Sequence, residues 1–278
     1  MKIAFIGGGN MAAALIAGLA GKLTAGANIH VVDPNPASLD KLRQEYGVSV
    51  APAAGEAVAG ADVLVLAVKP QVMHEVALQL LPLLQAAQAD GRSPLVLSIA
   101  AGIRAADLAR WLGGYPAIVR TMPNTPALIG MGVTGMVAAP AVTAAQRAAA
   151  DQILRAVGAT VWLDDEAKID AVTAVSGSGP AYVFYFIEAM QQAAEELGLT
   201  AEQGRQLAME TFSGAAQLAA QSPDPVPVLR EKVTSKGGTT YAALTSMETS
   251  GVKAAIITAV KAAAARGKEL GEQLGAAG

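Results

Sequence analysis

The sequence predicts an α/β chain in which a doubly wound parallel sheet is followed by an all-helical region. Short, almost wholly apolar runs such as ADVLVLAV (61–68) and PLVLSI (94–99) alternate with helical stretches up to residue 163, and no strand pattern returns after that point. Gly7, Gly8 and Gly9 stand between the first apolar run and the first helical stretch. Strands without alternating polar residues are buried on both faces, which is the condition of a parallel sheet covered by helices.

Taken in order, 2–6 is a strand and 10–22 a helix, 28–32 a strand, 36–46 a helix, and 49–50 a short strand. A strand over 61–68, a helix over 73–84, a strand over 94–99, a helix over 104–112 and a strand over 117–120 follow. Between 130 and 163 the pattern gives one or two strands and a helix at 144–157. From 164 the chain reads as helices at 166–175, 180–197, 201–222, 226–233 and 241–272. Two domains are expected, 1–163 and 164–278. The stretches YVFYFIEAM (182–190) and AAIITAVKAAAA (254–265) are apolar nearly all round, which for a helix means burial on every side. A small helical domain cannot cover them alone, so a homo-oligomer, at least a dimer through the helical domain, is expected.

Composition narrows the function. Twenty Lys and Arg against 23 Asp and Glu leave a net charge of −3 with no basic run, which speaks against nucleic-acid and anionic-membrane partners. Absence of Cys removes disulfides, thiolate nucleophiles and Cys-ligated zinc. His30 and His74 share no ligand spacing, so no metal is expected. Residues 3–21 are uncharged and resemble a signal peptide, but the glycines at 7–9 break the run and no clean 18-residue apolar stretch exists, so a cytoplasmic protein is expected.

The pattern Gly7-x-Gly9-x-x-Ala12, placed after a strand and opening a helix, is Rossmann-like. The first glycine permits a tight turn, the second lets backbone approach a pyrophosphate, and the small third residue lets helix and strand pack closely. Asp33 stands 21 residues after Ala12. An acid there accepts from ribose hydroxyls and repels a 2′-phosphate; its plainer reading is a cap for the helix starting at Pro36. Asn35 and Ser38 are available to bond a phosphate, so NADPH and NADH both remain open. Ala67-Val68-Lys69-Pro70 and Ile99-Ala100-Ala101-Gly102 are further turns at strand ends. In Met122-Pro123-Asn124-Thr125-Pro126, two prolines fix a loop in which Asn124 exposes an amide on the substrate side. Ser176-Gly177-Ser178-Gly179-Pro180 is read either as a stop-start signal between helices or as a close-packed elbow facing the cofactor. Thr234-Ser235-Lys236-Gly237-Gly238-Thr239-Thr240 opens the last helix with hydroxyls and successive backbone N–H groups, a pocket suited to a carboxylate. Asp164-Asp165-Glu166 is read as a cap of the helix that follows.

In order along the chain, FIGGGNM (5–11), AVKP (67–70), SIAAG (98–102), MPNTPA (122–127), SGSGPAYVF (176–184) and TSKGGTT (234–240) resemble pyrroline-5-carboxylate reductase over nearly the whole length. The resemblance implies reduction of 1-pyrroline-5-carboxylate to L-proline by NADPH or NADH. It implies cofactor contacts at Ile6, Gly7, Gly8, Gly9, Asn10, Met11, Ala67, Val68, Lys69, Pro70, Ile99, Ala100 and Ala101, beside the Asp33 and Asn35 read above. Ser235, Gly237, Gly238, Thr239 and Thr240 become substrate contacts, with Thr240 the candidate proton donor, and Asn124 and Ser176 are placed on the substrate side. Two positions depart from the family pattern: Lys236 stands where Pro is usual, and Asp33 where Ser, Thr or Asn often stands. A protonated cyclic imine is already electrophilic, so its reduction needs orientation more than acid-base machinery, in keeping with a site without His, Cys or paired carboxylates. A 3-hydroxyacid dehydrogenase of similar build needs a Lys four residues after Gly179, where this chain has Val183.

Overall fold

The computed structural model describes residues 1–276, and by packing these fall into two compact units: 1–178 together with the residues from 263 onward, and 179–262. The first unit is built on one eight-stranded sheet. Its strands are β1 (Ile3–Ile6), β2 (Ile29–Val32), β3 (Ser49–Ala51), β4 (Val63–Leu66), β5 (Leu95–Ser98), β6 (Ile118–Met122), β7 (Gly132–Ala138) and β8 (Gly158–Trp162). Their order is β3-β2-β1-β4-β5-β6-β7-β8, so the winding reverses between β1 and β4.

All neighbours are parallel except β6 and β7. That antiparallel pair has a local cause. The chain leaves β6 through a 3-10 segment, Thr125–Ile129, and turns at Gly130 (φ 73°), a connection too short for the crossover a parallel partner needs.

Helices cover both faces: α1 (Asn10–Leu19), α2 (Pro36–Tyr46), α3 (Glu56–Ala59), α4 (Met73–Ala89), α5 (Ala105–Trp111) and α6 (Ala144–Arg155). Because successive strand residues point to opposite faces, β1 divides between two cores. Ile3 and Phe5 join Leu15, Leu19 and Ile153 on one side, while Ala4 and Ile6 join Leu80, Leu84 and Trp111 on the other. The helix starts obey local rules. Asn35 accepts from Ala37 N–H with Pro36 in the first turn of α2, and Thr143 forms a reciprocal capping box with Gln146 on α6.

After β8 the sheet unit continues past residue 163, through α7 (Lys168–Val172) and a π-helical turn at Thr173–Gly177. Of the two readings of 176–180, the stop-start one finds little room, since only Ser178 separates the π turn from the next helix. Thr173 and Ser176 hydroxyls donate to the carbonyls of Ile169 and Val172, and the chain runs helically into α8 (Gly179–Glu196). Gly177 meets Met122, whose Cε would lie 2.5 Å from a Cβ there.

The second unit holds α8, α9 (Ala201–Gln221), α10 (Val226–Lys232), α11 (Thr239–Thr249) and the start of α12 (Val252–Ala276). A single helix was expected over 241–272. Two form, because Gly251 adopts φ 68° and ends the first at Ser250. The 234–240 turn therefore opens the penultimate helix. Beyond residue 262, α12 belongs to the sheet unit, where Gly271 packs on Gly102: a Cβ on Gly271 would stand 3.2 Å from the Gly102 carbonyl.

Candidate active site

The strand order lines up the ends of β2, β1, β4, β5 and β6, placing Asp33, the glycine turn, 67–70, 99–101 and 122–124 side by side along the carboxyl edge. In open α/β sheets this edge, where the winding reverses, is where ligands bind. Gly7 has φ 103° and its N–H donates to the Val32 carbonyl at 2.8 Å. A Cβ at Gly7 would lie 2.6 Å from the Ala67 carbonyl oxygen and 3.1 Å from Val68, so only glycine lets the first turn touch the second. Gly9 is the N-cap of α1 without any side-chain cap, and nothing lies within 4 Å of where its Cβ would be. The first amides of α1 thus have no side-chain partner, the arrangement that receives a phosphate.

Around this turn Ile6 is buried, Asn10 is exposed and Met11 packs on the core. Lys69 is exposed, caps a 3-10 turn beginning at Pro70, and joins no ion pair among the described residues. Ala100 is buried, Ile99 half-buried and Ala101 exposed, followed by Gly102 at φ 76°.

Asp33 ties the corner together. Its Oδ2 accepts from Gly8 N–H at 2.7 Å and its Oδ1 from Asn35 N–H at 2.8 Å. The cap of α2 is Asn35, not Asp33: Asn35 Oδ1 accepts from Ala37 N–H at 3.0 Å.

Asn124 does not expose its amide. It is 9% exposed, its oxygen accepts from Val133 N–H at 2.9 Å, and its nitrogen donates to the Ser176 carbonyl at 3.2 Å. The two residues expected on the substrate side are thus bound to each other, with Asn124 holding the 122–126 loop to β7 and to the π turn.

The acidic triplet also divides its tasks. Asp165 accepts from Ala167 N–H and Asp164 pairs with Lys168, as a helix start requires. Glu166 instead accepts from Ala105 N–H at 2.7 Å and from Arg120 Nη1 at 2.8 Å. Arg120, almost fully buried on β6, lies 4.0 Å from Asp170 as well. Glu166 therefore fixes the first residue of α5, three positions beyond Gly102. Sequence reading missed this pair. Its one signal was an arginine inside an otherwise uncharged strand.

In the helical unit, Ser235, Lys236 and Gly237 are exposed, Gly237 at φ 74°. Gly238 N–H donates to the Ser235 carbonyl at 3.0 Å, and a Cβ on Gly238 would lie 2.6 Å from Ser235 Oγ. Gly238 caps α11 without a side-chain acceptor, so the amides of exposed Thr239 and Thr240 are uncapped. Thr234 Oγ1 donates back to the Arg230 carbonyl.

The histidines stand apart: His30 on Ser49, where burial lowers its pKa, and His74 against Trp111. Among the described residues no three His, Cys, Asp or Glu gather as a metal site, and no helix is long and apolar enough to cross a membrane.

A doubly wound sheet with an open glycine turn at its reversal point, followed by a helical unit, defines an oxidoreductase of the nicotinamide-dinucleotide class. Residues 2–102 match the family model described as NADP oxidoreductase coenzyme F420-dependent, and 166–270 the one described as pyrroline-5-carboxylate reductase dimerisation. The chain belongs to the pyrroline-5-carboxylate reductase family. A Pseudomonas aeruginosa relative bearing that name is 49% identical over 274 residues, covering 99% of this chain and 98% of the relative. A Coxiella burnetii pyrroline-5-carboxylate reductase structure superposes with TM-score 0.90 at 39% identity, covering 97% and 98% of the two chains. A Plasmodium falciparum pyrroline carboxylate reductase with NADP bound gives 0.85 at 29%, covering 98% of each.

Proposed function

We propose that this chain transfers a hydride from NADPH or NADH to the imine carbon of 1-pyrroline-5-carboxylate, giving L-proline, the last step of proline biosynthesis. The observation that carries the reading is similarity at 49% identity across the full chain to a relative of that name. The fit to a dinucleotide rests on the open, uncapped glycine turn at the sheet's reversal point. When bound, the nicotinamide supplies the hydride. Residues 6–11, 67–70 and 99–101, with Asp33 and Asn35, hold and orient the dinucleotide in this reading. Ser235, Gly237, Gly238, Thr239 and Thr240 take the substrate carboxylate, and Thr240 or water returns a proton to the nitrogen as the amine forms. Asn124 and Ser176 act on the substrate side by fixing the 122–126 loop. The functional division is at residue 163, with 1–163 binding dinucleotide and 164–278 binding substrate and joining copies into a homo-oligomer. A chain without Cys suits the cytoplasm.

The test follows NADPH and NADH absorbance with purified protein and racemic pyrroline-5-carboxylate, with chromatography for proline. No oxidation by folded protein that still binds dinucleotide would sink the reading. Thr240→Ala should lower turnover about 10²- to 10⁴-fold, the usual contribution of a positioned proton donor, with dinucleotide affinity unchanged. Undiminished turnover would remove the proton role from Thr240.

A further inference from the structure

At the end of β2 three backbone amides that a phosphate would seek are already bonded within the protein, which leaves Ser38 of α2 to offer a donor. Gly8 N–H and Asn35 N–H both donate to Asp33, and Ala37 N–H donates to Asn35. The Asp33 main chain is itself anchored, its N–H donating to the Ala51 carbonyl of β3. Asp33 takes part in no ion pair among the described residues. The first turn of α2, Pro36-Ala37-Ser38-Leu39, brings no Lys or Arg; beyond it stand Lys41, exposed and in no ion pair among the described residues, and Arg43, paired with Asp40.

We infer that Asp33, held by Gly8 and Asn35, makes this enzyme select NADH over NADPH. An acid at this strand end accepts from the adenosine ribose 2′-hydroxyl, and a 2′-phosphate in the same place needs a cation or free donors. Here it would meet a fixed carboxylate instead. Two amides hold that carboxylate against the glycine turn, Gly8 N–H at 2.7 Å and Asn35 N–H at 2.8 Å. The acid is therefore both a strut for the turn and the discriminating charge. The 2–102 match to an NADP oxidoreductase model and the relative with NADP bound leave this corner of the present chain undecided, because selection is set by the side chain at 33 and its neighbours.

The inference rests on the reductase reading only in that the ligand is a nicotinamide dinucleotide, so its test begins with binding. NADH and NADPH are titrated separately into the purified protein by calorimetry, and the fragments AMP and adenosine 2′,5′-bisphosphate are compared in the same way. NADH should bind at least tenfold more tightly than NADPH, AMP should bind more tightly than the bisphosphate, and kcat/KM for pyrroline-5-carboxylate reduction should follow the same order. Asp33→Ser should narrow or reverse the ratio. Asp33→Asn, which keeps one acceptor for the turn and removes the charge, should narrow it while holding the melting temperature closer to wild type. Wild-type protein that binds NADPH as tightly as NADH overturns the inference, and so does an NADH preference that both variants leave intact. Turnover that favours NADPH would leave the reductase reading standing and remove this one. NADH-selective binding without turnover of the imine would do the reverse.

Discussion

The sheet unit and the helical unit bury their apolar residues to very different degrees. Every β1, β4 and β5 residue is buried, and two clusters fill both faces of the sheet. In the helical unit α8 and α9 bury only Ile187, Gly204 and Ala208, and α10 and α11 bury nothing. Phe184 and Tyr185 on α8 are 64% and 71% exposed, and Val226, Met247 and Ile257 on other helices of the unit are exposed too. The sheet unit is a finished fold whose site is made of backbone at strand ends. The helical unit is a half of something: its large apolar side chains stand exposed, in keeping with the match of 166–270 to a dimerisation model.

The contrast can be broken most severely at Gly7. Gly7→Val forces a β-branched residue to φ 103° and drives its Cβ into the Ala67 carbonyl. Backbone strain of about 1–3 kcal/mol plus the overlap should weaken dinucleotide binding at least about 100-fold, read by NADH fluorescence titration. Near-normal binding would mean that the two turns do not need their contact. Next in size is Tyr185→Glu in the helical unit. A charge buried unpaired between copies should dissociate the oligomer while the monomer keeps its helicity, measured by light scattering and circular dichroism. An unaltered oligomer would show that this face is not the one covered.

The smallest effect sharpens the account of the sheet's edge. Burial raises the Asp151 pKa, but hydrogen bonds from Thr160, Arg155 and Trp162, with the Arg155 charge, outweigh it and leave the carboxyl below its ordinary 3.8. A depressed folded pKa stabilises above the ordinary value, and the contribution is lost as pH falls through the folded one. Asp151→Asn should therefore lower the melting temperature at pH 7 by about 2 °C, and paired melts should converge only as the pH falls below the ordinary carboxylate range. A difference that persists in acid would make the loss one of packing.

Much of this was legible because it is local. Gly7-x-Gly9, the acid at 33 and the apolar strands carry their reasons in a few neighbouring residues, and the all-round apolar helices foretold the exposed faces. What was hidden depends on distant partners. Glu166 looked like a helix cap until Arg120 and Ala105 were beside it. Asn124 looked available until Val133 and Ser176 claimed its amide. The split at Gly251 was written in the sequence, yet a lone glycine in a helical pattern is often tolerated, and only its left-handed φ decides.

The contact of Gly271 with Gly102, with Arg104 paired to Glu272 beside it, also has a bearing on how the molecule is made. A ribosome releases the sheet's strands first, but the helix end that seals the 99–102 turn emerges only after residues 179–262 have been added. At usual elongation rates that is a wait on the order of ten seconds. During it, a nearly complete nucleotide-binding unit stands with one flank uncovered. Newborn chains are then most exposed to proteases and to each other at that flank, and the helical unit has to fold as an insertion within a domain still waiting to close.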